Sequence, residues 1–226
     1  MRHVLGGTVL LLALPTATPA LAAGGADVVD DAAVETPGTC HLESWVTLND
    51  EKGGIINSAP ACTRKAWPNL ELGGFVAHGW THDSDDTVIG LSPKLVLRSE
   101  DRGVGIGIAT SLGYGIDRRR FETASIIVPV TISACRIVRF NLNAGWQWTR
   151  ADHRHDLFVG AQAEVAATRN LNLMVEAFTR DHDKAGGQAR LRWTVAGGAV
   201  DLDLIGGRYV DGATPSAITF GVTIRR

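Results

Sequence analysis

From Pro68 to Arg226 the chain is written in segments of about ten residues in which apolar and polar side chains alternate. Phe140, Leu142, Ala144, Trp146 and Trp148 interleave with Asn141, Asn143, Gly145, Gln147 and Thr149. Leu157, Val159, Ala161, Ala163 and Val165 stand opposite Gly160, Gln162 and Glu164, and Leu171, Leu173, Val175 and Ala177 opposite Asn172, Met174, Glu176 and Phe178. Ala189, Leu191, Trp193 and Val195, then Val200, Leu202 and Leu204, then Ile218, Phe220, Val222 and Ile224 repeat the pattern. Only extended chain sends successive side chains to opposite faces, so these segments are strands. Four earlier segments, at about residues 70–76, 89–97, 104–114 and 126–132, follow the same template less cleanly, the second interrupted by Pro93. The count is about ten strands joined by short turns.

A soluble sheet and a membrane barrel both alternate. In the soluble sheet the polar face is rich in Lys, Glu and Thr. Here that face is Asn, Gln, Gly and charges of both signs, while the apolar face is long and unbroken. Tyr114, Trp146, Trp148 and Trp193 fall near the ends of apolar faces, where an aromatic girdle belongs. The expected fold is all-β: an antiparallel transmembrane β-barrel of about ten strands, residues 67–226, apolar outside and polar within. Composition agrees once read this way. A hydrophobic fraction of 45% with 26 glycines averages an oily exterior and a crowded polar interior. A net charge of −2 excludes a nucleic-acid-binding surface.

The first residues read as an address. Arg2 and His3 precede an apolar run, Val4 to Leu14, then Pro15 to Pro19 and the small-x-small site Ala20-Leu21-Ala22. These are the parts of a secretory signal peptide, residues 1–22, and with the barrel pattern the expected location is the outer membrane of a Gram-negative bacterium. Residues 23–66 lack sustained periodicity and are expected to form a short irregular periplasmic extension. Cys40 and Cys62 fall within it, and an exported chain meets oxidants, so a disulfide between them is expected. Cys135 is the odd cysteine, in a turn.

The stretch Ser92-Pro93-Lys94-Leu95, the glycine-alternating 103–115, Asn141 to Trp146, Gly160 to Glu164, Leu191-Arg192-Trp193, Val200 to Asp203 and Thr219 to Val222 resembles small bacterial outer-membrane barrels of the phenol meta-pathway transporter type. The resemblance covers roughly the last 150 residues, and strand texture carries it rather than any catalytic motif. It implies a porin-like transporter of small-molecule solutes, with outer-membrane lipid as the surrounding partner. The alternative is a closed structural or surface-interaction barrel whose outer loops bind a partner.

Alternation places Glu71, Glu164, Glu176, Arg190, Arg192, Asp201, Asp203 and Arg225 in the lumen as a charge network, with Glu71 and Arg225 paired where first and last strands meet. Buried charge is costly unless paired, so a structural network fits, and a charged permeation path is the functional alternative. The outer loops, at 82–86, 117–120, 150–156, 180–184 and 211–215, hold His82, His153, His155 and His182 among aspartates. These are weak metal candidates, since no tight ligand spacing accompanies them. No cofactor motif is present. Ser84 and Ser216 lack any surrounding nucleophile pattern, so no enzyme activity is expected.

Overall fold

A computed structural model describes residues 26–50, 53–82, 84–150 and 153–226. The expected signal peptide, residues 1–22, lies outside the described residues.

Thirteen strands follow in chain order. They are β1 (Cys40–Asn49), β2 (Gly54–Thr63), β3 (Leu70–Trp80), β4 (Asp85–Leu91), β5 (Lys94–Arg98), β6 (Val104–Gly115) and β7 (Arg120–Ser133). The remainder are β8 (Val138–Thr149), β9 (Arg154–Ala166), β10 (Leu171–Arg180), β11 (Gly186–Val195), β12 (Val200–Arg208) and β13 (Ala217–Arg225). Every pairing is antiparallel, and β13 returns to β1 with His41 opposite Arg225 and Asn49 opposite Ala217. The sheet therefore closes on itself and has no free edge.

β4 and β5 both pair with β3 on one side and β6 on the other. They are two halves of one stave, broken at Ser92-Pro93, where proline has no N–H to give the ladder. The break keeps its neighbours through Ser92 N–H to the Gly73 carbonyl (2.9 Å) and Thr110 N–H to the Pro93 carbonyl (3.0 Å). The barrel thus has twelve staves, not about ten.

The two extra staves are β1 and β2, within the segment expected to be irregular. Their outward face is diluted by Ser44, Ser58 and Pro60, and the two serine hydroxyls meet across the pair at 2.9 Å. Apolar periodicity alone misses such strands. Cys40 and Cys62 are register partners on them, 4.0 Å apart between Cα atoms, and are disulfide-bonded.

The two sets of connections separate onto opposite rims, as antiparallel order requires. One rim, here the terminal rim, carries Cys40, Arg226 and the turns at 64–69, 99–103, 134–137, 167–170 and 196–199. The far rim carries the loops at 116–119, 181–185 and 209–216. Around the outside the apolar set stands in the open: Leu42, Val76, Ile126, Leu142, Val175, Leu204 and Phe220 are all exposed, Val175 by 59%. Inside, Thr131, Asn141, Asp201 and Arg192 are almost wholly buried. Tyr114 and Trp146 lie toward the far rim, Tyr114 edge-on to Phe121 and Trp146 stacked on His155, and Trp193 lies toward the terminal rim.

Residues 26–39 are not an extension beyond the barrel. Residues 26–35 run inside it, with Val29 and Asp31 fully buried and Ala32 nearly so, and Thr36 to Gly38 are exposed at the terminal rim. Gly38, at φ +100°, makes the turn that lets the chain leave the lumen and enter β1, a conformation open to glycine at little cost.

The disulfide joins two barrel staves directly. Replacing Cys40 and Cys62 by alanine is expected to lower the unfolding free energy by about 3 kcal/mol on the chain-entropy model. The check is the temperature at which the compact gel band converts to the unfolded one, which should fall in the variant and in reduced wild-type protein alike.

Candidate functional site in the barrel lumen

Inward-facing residues of neighbouring strands lie side by side, so their chemistry is decided by register. Arg192 and Asp203 are direct partners across β11 and β12, and the guanidinium meets the carboxylate through two bonds of 2.8 Å. Such a two-pronged pair satisfies both groups at once, which a buried charge requires. Arg192 also lies 3.5 Å from Asp201. Asp201 accepts from the Thr194 hydroxyl at 2.6 Å and from Arg225 at 2.7 Å. Three staves along the wall Arg139 donates to its register partner Glu164 at 2.8 Å.

Neutral side chains continue the wall as a directional ladder. The Thr131 hydroxyl donates to Asn141 (2.8 Å), Asn141 to Gln162 (2.6 Å), and Gln162 to Glu176 (2.9 Å). The ladder crosses four strands, β7 to β10, and each donor finds an acceptor one stave along.

The segment 26–39 is laid against this wall. Glu176 accepts the N–H groups of Val28 (2.9 Å) and Val29 (3.2 Å), and Thr131 accepts that of Ala32 (2.8 Å). Asn143 both accepts from Asp30 N–H (2.9 Å) and donates to the Asp30 carbonyl (2.7 Å). Gln188 donates to the Ala26 carbonyl at 2.9 Å. The acids of the segment take the wall's cations. Asp27 pairs with Arg190, Asp31 with Arg139 (3.2 Å), Asp30 and Asp31 with Lys94 (2.9 and 3.0 Å), and Glu35 with Arg225 (2.6 Å). Val29 sits in a small apolar cluster with Ile127, Phe158 and Phe178.

Glycine makes the room. A Cβ on Gly160 would come within 2.6 Å of the Val29 side chain, and one on Gly105 within 3.2 Å of Ala32. Gly105 of β6 and Gly160 of β9 are therefore clearance for a second layer of chain.

Of the eight charges expected in the lumen, Glu164, Glu176, Arg190, Arg192, Asp201 and Asp203 are buried, and Glu71 and Arg225 are half-buried. Their partners differ from expectation in one respect. Arg225 binds Glu35 and Asp201, while Glu71 accepts from Glu35 N–H (3.0 Å) and the Thr63 hydroxyl (3.3 Å). Glu71 and Arg225 were expected to meet at the closure, but β1 and β2 stand between their strands. Sequence reasoning passed over Lys94, Arg139 and the whole inner segment. A signal existed in the acidic run Asp27 to Asp31, whose carboxylates pair with Arg139 of β8, Arg190 of β11 and Lys94 of β5.

The loop histidines disperse around the far rim. His182 Nδ1 lies 2.7 Å from Asp156, His155 stacks on Trp146, and His82 and His153 are exposed. Among the described residues no group of three or more His, Cys, Asp or Glu side chains is arranged to hold a metal ion. Ser216 donates to Asp50 at 2.9 Å, and the Ser84 hydroxyl lies 3.1 Å from that of Thr81. In the loop between β12 and β13, partial burial works to raise the Asp211 carboxyl. Bonds from Thr214 (N–H 2.7 Å, hydroxyl 2.6 Å) and Ala213 N–H (3.0 Å) outweigh it and hold the group below the usual carboxylate range. That contribution is present above the ordinary aspartate pKa and is lost as pH falls through the lowered one.

The segment fills only part of the lumen. Between it and the wall made by β1 to β3 lies a cavity of about 300 Å³ lined by Asp30, His41, Glu43, Glu71 and Lys94. A second, of about 530 Å³, opens toward the far rim beside Trp80, Asp85, Asp86 and Arg118. The two share Asp27 and Trp45. Within the terminal rim a third, of about 730 Å³, lies beside Glu35, Arg136, Asp201 and Arg225.

Solved structures share this architecture. The chain is similar to the KdgM porin (TM-score 0.66, 9% identity, 81% of this chain and 98% of that one). It is similar also to the NanC porin (0.61, 7%, 81% and 98%). A third likeness is the COG4313 outer membrane channel from Pseudomonas putida F1 (0.60, 9%, 86% and 97%). At such identities the likeness is one of fold. Among curated proteins none matches the sequence. A family model described as "Uncharacterised conserved protein UCP029691" matches residues 10–226.

Removing Arg192 alone takes from buried Asp203 both of its guanidinium hydrogen bonds. Arg192→Met is expected to cost about 3–5 kcal/mol of unfolding free energy, the usual penalty for breaking a buried pair. Adding Asp203→Leu should restore part of the loss, and tryptophan fluorescence across a urea titration in detergent reads both.

Proposed function

The chain belongs to the family described as Uncharacterised conserved protein UCP029691, and we propose that it is an outer-membrane channel of porin type for small hydrophilic solutes. The inside-out distribution around a closed ring carries this reading. A bilayer tolerates only helices or closed barrels, because no backbone polar group can be left unpaired in hydrocarbon. This ring has no free edge, its exterior carries a belt of Leu, Val, Ile and Phe thinned only at β1 and β2, and its buried polar groups are enclosed. Strands of mostly nine to fourteen residues suit that thickness when tilted. The terminal rim, with its short turns and disulfide, would face the periplasm.

The similar KdgM porin has been seen in complex with disordered oligogalacturonate, so a barrel of this shape can admit a polar oligomer. The resemblance in strand texture to phenol meta-pathway transporters supports the same general role. Filling of much of the lumen by residues 26–39 favours the second reading, a closed structural or surface-interaction barrel.

Two measurements test the proposal. The protein should fractionate with the outer membrane and run as a compact band that boiling converts to an extended one. A soluble periplasmic location would overturn the barrel reading. Purified protein in planar bilayers should conduct small ions, and silence there would favour the closed barrel. Val175→Arg, in the middle of an outward face, is expected to cost about 2–4 kcal/mol in lipid. Measured by urea unfolding in lipid vesicles, that penalty should shrink for a positive charge placed nearer either rim.

A further inference from the structure

Resting on the channel reading, we propose that the open side of the lumen, between residues 26–30 and the wall of β1 to β3, is a path for small cations that turns anions away. The lumen is divided by charge. On the side of β7 to β13 the cations Arg139, Arg190, Arg192 and Arg225 are engaged with wall carboxylates and with Asp27, Asp31 and Glu35 of the inner segment. On the open side the linings of the two neighbouring cavities carry Asp27, Asp30, Glu43, Glu71, Asp85, Asp86 and Asp211. The cations among those linings are Lys94, held by Asp30 and Asp31, and Arg118, 3.2 Å from Asp86, with His41 as the one imidazole.

A narrow cleft of one sign with low-dielectric walls focuses its field and concentrates counter-ions. A second observation points to an occupant. His41, its side chain only 9% exposed, lines the smaller cavity, and its Nδ1 has no hydrogen-bond partner among the described residues. The nearest carboxylates, Glu35 and Glu71, each stand 3.9 Å from it. Asn57 Oδ1, on the same cavity wall, is buried and likewise without a partner. A donor-bearing cation such as an ammonium or a hydrated alkali ion satisfies an imidazole nitrogen and an amide oxygen with carboxylates alongside. A polyanion of the oligogalacturonate kind meets repulsion at the same place. Segment 26–39 is then a fixed part of the channel wall. It withdraws Arg139, Arg190 and Arg225 from the path, which leaves Glu43 and Glu71 of the wall to line it.

The test is the reversal potential of the full-length protein in planar bilayers under a KCl gradient. The expected result is a K⁺ preference over Cl⁻ of about tenfold, from focusing of that kind. The double variant Glu43→Gln/Glu71→Gln should lower it by about threefold or more while conductance persists. If that variant does not give a heat-modifiable band, Glu43→Gln alone serves. A Cl⁻ preference, or a ratio unmoved by neutralisation, overturns the cation path and leaves the channel reading standing. Absence of any conductance from the intact barrel overturns both.

Discussion

A twelve-stave ring has more interior than its own side chains can fill. Eight strands enclose a space that wall residues just occupy, and the diameter grows with each added stave. The excess must be taken by water, by ligand or by more chain, and every polar group turned inward must find a partner there. Residues 26–39 answer both demands at once. Their backbone supplies donors to Glu176, Thr131 and Asn143, and their carboxylates supply counter-charge to Lys94, Arg139, Arg190 and Arg225. The glycines at 105 and 160 hold the space that this second layer needs. An arginine such as Arg190, buried in a lumen lacking Asp27, would face a desolvation cost that its wall neighbours meet only in part.

The face of each strand was legible because alternation is a property of the residue string alone. Phe140 to Thr149 and Leu171 to Arg180 show their outward and inward sets without any partner in view. Pairing was less legible. Two residues facing one lumen meet only if their staves are neighbours, and stave order depends on every strand being counted. Ser44, Ser58 and Pro60 thin the apolar face of β1 and β2, so those strands dropped out of the count. Glu71 was then assigned to Arg225, across a closure that runs elsewhere.

The inner segment was illegible for a different reason. It follows no period, because it is neither helix nor strand, and its partners are matched one at a time. Val28 and Val29 bond through backbone groups that every residue possesses, which leaves no mark on the sequence. What did leave a mark was charge. The acids of 27–31 have no counterparts nearby in the chain, while β8 and β11 carry inward arginines. An acidic run beside a barrel with buried cations is a candidate for its interior.

Closure of the ring, the disulfide and the exit of the inner segment all fall at one corner of the terminal rim. Cys40 and Arg226 exchange backbone hydrogen bonds at 2.9 and 2.8 Å, sealing β1 to the end of β13. Gly38 N–H reaches the Thr63 carbonyl at 2.6 Å beside the Cys40–Cys62 bond, and Glu35 grips Arg225 from within. Segment and seam therefore brace one another. Loosening the seam would free Arg225 from Glu35, and withdrawing the segment would leave Arg225 with Asp201 alone among the partners described.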